Sequence, residues 1–62
     1  MKYKKENGVR VYYTNDLLYK IVPTVNDFRI YRLIEGKYKF ITGTLLLFDA
    51  KQVVAEMSPG SK

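Results

Sequence analysis

The reactive side chains in a short chain bound what chemistry it can do, and this one holds no cysteine and no histidine. Their absence excludes disulfides and thiolate metal sites, the commonest zinc ligand and the commonest general base. The acids are Glu6, Asp16, Asp27, Glu35, Asp49 and Glu56. No two are spaced to hold a metal, or to act as an acid–base pair, on one rigid element. Asp16 and Glu35 suit turns, Asp27 a connector and Asp49 a helix cap. No hydroxyl has a histidine to activate it, and neither glycine-rich phosphate loop motif is present. The chain therefore reads as a non-catalytic binding protein with no catalytic residue, no metal, no cofactor and no small-molecule substrate.

The remaining chemistry is that of cations and rings. Eleven Lys and Arg stand against six Asp and Glu, a net charge of +5, and the aromatics are six Tyr and three Phe. Excess positive charge draws anionic partners. The candidate nucleic-acid contacts are Arg29, Arg32, Lys37 and Lys39, helped by Arg10, Lys4, Lys5 and Lys2. Tyr12, Tyr19, Tyr31 and Tyr38 are candidate protein-interface residues, since Tyr and Arg are favoured at binding hot spots.

Strands must position these groups. With 62 residues there is room for one domain, one that buries only about 60% of its unfolded surface. The expected class is α+β: a small antiparallel sheet of two hairpins, with three to five strands, and one short C-terminal helix packed on one face. Residues 1–7 read as a basic arm or the lead-in to a strand, 8–57 as the domain and 58–62 as a flexible tail. Val9–Thr14 is largely β-branched and aromatic and reads as a strand, and Leu17–Val22 reads as the return strand, with Asn15-Asp16 as a two-residue turn and Pro23 as the stop. That register sets Tyr13 opposite Leu18, Tyr12 opposite Tyr19 and Val9 opposite Val22. A short helix started by Asp16 is the competing reading for 16–22.

Phe28–Ile34 and Lys37–Thr42 make the clearer hairpin, turned at Glu35-Gly36. Its register pairs Leu33 with Tyr38, Arg32 with Lys39, Tyr31 with Phe40 and Ile30 with Ile41. Like charges directly opposite weaken a sheet, so the Arg32–Lys39 pair asks for an anion or some other compensation. Lys37 shares their face, with Phe28, Ile30, Ile34 and Ile41; Arg29 points the other way. The face with Tyr31, Leu33, Tyr38 and Phe40 is expected to receive the helix. Gly43 suggests a bulge, and Thr44–Phe48 a short buried strand or an apolar lead-in. Asp49 is the expected N-cap, with Gln52 completing a capping box and a Phe48–Val53 staple. Ala50, Val53, Val54 and Met57 form one apolar stripe, ended by Ser58-Pro59-Gly60.

The strands followed by a helix over 28–57, opened by Phe48-Asp49-Ala50, resemble at fold level the small arm-binding domains of phage-type integrases. Those bind DNA through a three-stranded sheet backed by a helix. The resemblance implies DNA binding but carries no residue across.

The expected function is contact with nucleic acid through a basic sheet face, as a regulator or accessory factor. Ribbons can enter a major groove, and aromatic-cationic platforms can hold single strands. The alternative is a phage or mobile-element protein that inhibits a host or defence protein through a Tyr-rich face. Partners are then nucleic acid or an acidic protein surface, with a homodimer also compatible. No apolar run approaches the roughly 18 residues of a membrane span, and no signal-peptide pattern opens the chain, so no membrane partner and a cytoplasmic location are expected.

Overall fold

The computed structural model describes residues 1–57; the expected tail over 58–62 and the Ser58-Pro59-Gly60 stop lie outside the described residues. The class is α+β. An antiparallel sheet of five strands runs in chain order: β1 (Lys2–Glu6), β2 (Val9–Tyr13), β3 (Tyr19–Pro23), β4 (Phe28–Ile34) and β5 (Lys37–Thr44). The helix α1 (Leu47–Met57) follows. With five strands the sheet departs from the three-stranded arm-binding fold that the sequence suggested.

Strand structure reaches back to Lys2. β1 pairs with β2 from Lys2↔Tyr13 to Glu6↔Val9. The turn between them is Asn7-Gly8, with φ of 55° and 79°. Positive φ at both central positions is what a type I′ hairpin turn requires, and Asn-Gly tolerates it best. Glu35-Gly36 repeats the geometry at 51° and 80°.

The β4–β5 register has Leu33↔Tyr38, Arg32↔Lys39 and Tyr31↔Phe40, as expected. Beyond them it shifts: Ile30 faces Thr42 rather than Ile41, which becomes the extra residue of a bulge. The bulge expected at Gly43 is therefore at Ile41. Gly43 itself stays in the ladder opposite Arg29, and a Cβ there would lie 3.1 Å from Asp27 Oδ2.

The β2–β3 connection corrects the expected two-residue turn. The Thr14 amide donates to the Tyr19 carbonyl at 3.1 Å, and the Tyr19 amide donates to the Thr14 hydroxyl at 3.2 Å. Asp16 Oδ1 accepts from the Thr14 hydroxyl at 2.6 Å and the Leu18 amide at 3.0 Å. These two bonds, the hydroxyl first, hold the Asp16 carboxyl below its usual range. Leu17 turns the chain at φ 63°. The longer loop sets Tyr13 opposite Lys20 and Tyr12 opposite Ile21, not opposite Leu18 and Tyr19. Tyr19–Pro23 is strand, so the competing helix is not formed.

The helix begins at Leu47, so Asp49 lies in its first turn instead of capping it. The Ala50 amide donates to the Leu46 carbonyl at 3.1 Å, and the Thr44 hydroxyl donates to that carbonyl at 2.8 Å. Phe48 is 70% exposed and forms no staple; Leu45 and Leu46 are exposed too, so 44–48 is not a buried strand. The stripe of Ala50, Val53, Val54 and Met57 does face the sheet. Ala50 and Val54 are buried against Tyr19, Ile21 and Ile30, with Val53, Met57, Tyr12, Phe28 and Leu47 around them. The Tyr19 hydroxyl donates to the Met57 carbonyl at 3.0 Å, which satisfies one of the orphan acceptors of the last turn.

The helix therefore covers the Ile21–Ile30 face, and the Tyr31, Leu33, Tyr38 and Phe40 face lies open, the reverse of the expectation. Ile21 and Ile30 sit directly opposite each other and give Ala50 a flat aliphatic floor. The other face has Lys20 at its centre, paired with Tyr13 and Tyr31. A helix over it would have to bury an ammonium.

Candidate functional site

Strand alternation and the register place one residue of each strand in a single line across the open face. Phe40 of β5 is opposite Tyr31 of β4, Tyr31 is opposite Lys20 of β3, Lys20 is opposite Tyr13 of β2, and Tyr13 is opposite Lys2 of β1. Tyr38, one pair along β5 and opposite Leu33, flanks the line. Lys4 and Arg29 flank it from the other side, opposite Val11 and Gly43.

Rings and cations in this line touch each other. Tyr31 and Phe40 meet edge to face at 5.8 Å between centroids, and Tyr13 and Tyr38 at 6.2 Å. The Lys20 ammonium lies over Tyr38 at 4.5 Å and Tyr31 at 5.4 Å. Lys4 lies over Tyr13 at 5.6 Å and the Arg29 guanidinium over Phe40 at 5.9 Å. Cation–ring contacts of this kind contribute about 0.5–1 kcal/mol at exposed sites.

Two hydroxyls pin the rings. Tyr38 donates to the Leu17 carbonyl at 2.7 Å. Tyr13 donates to the Glu6 carboxylate, and that bond, with burial and the carboxylate's charge behind it, pushes the Tyr13 phenol up to about 12. Phe40, at 57% exposure, presents the most open ring of the line.

The face is short of counter-charge. The single ion pair among the described residues joins Arg29 Nε to Asp27 Oδ1 at 3.5 Å. Asp27 is itself held by the Thr24 hydroxyl at 2.6 Å. Beyond the two paired positions Tyr12↔Ile21 and Tyr13↔Lys20, the β2–β3 ladder ends. A groove of about 220 Å³ opens there, lined by Glu6, Asn7, Val9, Val11, Lys20, Val22 and Pro23.

The sheet thus divides the candidates from the sequence. Lys4, Arg29, Tyr31 and Tyr38 come together on the open face with Lys2. Arg32, Lys37 and Lys39 share the other face, at the turn end of the β4–β5 hairpin, and all three are exposed. The Arg32 guanidinium lies over the Tyr19 ring at 5.7 Å, which offsets its repulsion from Lys39. Arg10 and Lys5 pair with each other on that same side, and Arg10 lies over Tyr3 at 4.9 Å.

Tyr19 is 4% exposed and belongs to the core, because Ile21, Ile30 and the helix close over it. It is not a surface contact. Tyr12 is half-buried on the helix side, under the Lys51 ammonium at 5.2 Å. The sequence pattern does not single out Lys20, Tyr13 or Phe40 as site residues. Two signals point to them: the Asn-Gly turn at 7–8, which fixes the first hairpin, and the position of Lys20 among apolar neighbours.

Among the described residues there is no group of acids that could hold a metal ion and no helix long and apolar enough to cross a membrane. Comparison with protein-family models, with curated proteins and with solved structures finds no match to this chain.

Proposed function

We propose that this is a non-catalytic binding protein that contacts nucleic acid through its open sheet face. The observation that carries the reading is the line Phe40–Tyr31–Lys20–Tyr13–Lys2, rings and ammonium groups interleaved on a face the helix leaves uncovered. Bases stack on aromatic side chains whatever their identity, and cations beside them meet phosphates. Lys20, Lys4 and Arg29 already rest on ring faces. A phosphate would draw each off by a small side-chain rotation and leave the ring free for a base. Arg32, Lys37 and Lys39 at the hairpin end add to the positive field that draws the ligand in.

The test is a fluorescence-anisotropy titration of labelled oligonucleotides across a salt series. Saturable binding that weakens steeply as salt rises, through release of counterions from phosphates, is the expected result. Binding indifferent to salt, or recovery of one stoichiometric protein partner from nuclease-treated extract with no oligonucleotide affinity, contradicts it. The latter would favour an inhibitor acting through the same tyrosines.

A further inference from the structure

We infer that the open face is built for an unpaired strand, not for a duplex. This rests on the reading that the face binds nucleic acid, and names which form of it.

The face is too wide for a groove. The line from Phe40 to Lys2 crosses all five strands. At the usual spacing of about 4.8 Å between strands, that is roughly 19 Å. The major groove of B-DNA is about 12 Å wide. A two-stranded ribbon fits it, but this face cannot be lowered into it, and even the thinnest dimension of the chain is 19 Å. Against a duplex the rings would meet only the sugar–phosphate exterior, where they have nothing to stack on.

The order of groups along the face also suits a single strand. Cations flank rings on both sides: Lys2 and Lys4 on β1, Arg29 on β4 and Lys20 between. A single strand with its bases turned inward needs this alternation, because its phosphates fall beside the bases rather than outside them. The hydroxyls of Tyr13 and Tyr38 are engaged by Glu6 and Leu17. Those two rings are held in position before any ligand arrives, which reduces the ordering cost of binding.

The rival for duplex DNA is the other end of the same hairpin. Arg32, Lys37 and Lys39 lie towards the end of that hairpin closed by Glu35-Gly36; Arg32 is also paired with Tyr19 of β3, so only the tip from Ile34 to Lys37 is two-stranded and narrow enough for a groove. The two sites lie on opposite faces, so substitution separates them.

The experiment compares an oligothymidylate and an oligouridylate of about 12 nucleotides, inside the roughly 4–16 that one small binding fold covers, with a duplex of equal length. Each is titrated against the intact chain, Phe40→Ala, and the double variant Arg32→Gln, Lys39→Gln. The expected result is that both single strands bind at least about ten-fold tighter than the duplex. Phe40→Ala should weaken single-strand binding about five-fold or more, with the double variant weakened less. A circular dichroism spectrum matching the unsubstituted chain shows that Phe40→Ala is folded. Tighter duplex binding that depends on Arg32 and Lys39 overturns the inference while leaving nucleic-acid binding intact. Absence of binding to any of the three overturns both this inference and the reading beneath it.

Discussion

The Lys20 ammonium sits 4.5 Å from the centroid of the Tyr38 ring, and the two residues belong to strands that are not neighbours in the sheet. The contact bridges over β4 and lies at the centre of the open face. There the ammonium covers aromatic surface that stacking would otherwise use. On the proposed function, that lysine would uncover the ring by moving to a phosphate.

Replacing Lys20 with Gln should act on the salt dependence of binding. Removing one phosphate contact lowers the slope of log affinity against log salt by about 0.7 for single strands. Lys20→Gln is expected to reduce the slope by about that amount, and Lys20→Arg to restore it. Anisotropy titrations at four or so salt concentrations give the slopes.

Phe40→Ala and Tyr31→Ala should each remove stacking energy of about 1–3 kcal/mol per base, a loss of about 5–150-fold in affinity. Phe40 is mostly exposed, so its substitution should cost stability about 1 kcal/mol or less, the share of its edge-to-face packing on Tyr31. Binding and urea unfolding measured on the same samples separate the two effects.

Much of this arrangement is legible in the sequence, and the parts that are not fail for physical reasons. Glu35-Gly36 fixes the β4–β5 register because glycine supplies the positive φ, and Ala50, Val53, Val54 and Met57 announce the buried stripe of the helix. The choice of face is harder. Ile30 and Tyr31 both look apolar, and only the pairing of Lys20 with Tyr31 shows which side cannot be buried. The companion pairing of Lys20 with Tyr13 depends on the loop at Thr14–Leu18, whose length is set by side-chain bonds of Thr14 and Asp16 and by Leu17 at positive φ. A leucine gives no sign of that conformation. β1 carries Lys2, Lys4, Lys5 and Glu6, and its charge masks a strand that the Asn7-Gly8 turn nevertheless marks. Charged edge strands are a common defence against edge-to-edge pairing.

The core supplies a contrast. Ile30 is fully buried between Ile21 and the helix. Ile30→Ala should cost about 2–5 kcal/mol, a large fraction of the roughly 5–15 kcal/mol that holds a domain folded. The urea midpoint should fall sharply or the transition vanish. A midpoint within experimental error of the unsubstituted chain would mean that the helix does not pack against Ile30.

Tyr13 should titrate late. Its phenol is pushed up to about 12 by the hydrogen bond to Glu6, against about 10 in an unfolded chain. A raised folded value favours the protonated form. The stabilisation is thus fully present below pH about 10 and is lost as pH rises through about 12. Glu6→Gln should return the Tyr13 titration towards 10 and flatten that loss. Absorbance of tyrosinate, with Tyr13→Phe as the difference control, follows it directly.

The most direct measurement is a heteronuclear NMR titration of the labelled protein with a short oligothymidylate. Amide and aromatic shifts should move for Tyr13, Lys20, Tyr31, Tyr38 and Phe40, while Ala50, Val54 and Lys51 on the covered side stay in place. Shifts centred on Arg32, Lys37 and Lys39 or on the helix, with the ring line unmoved, would contradict the assignment of the open face as the binding surface.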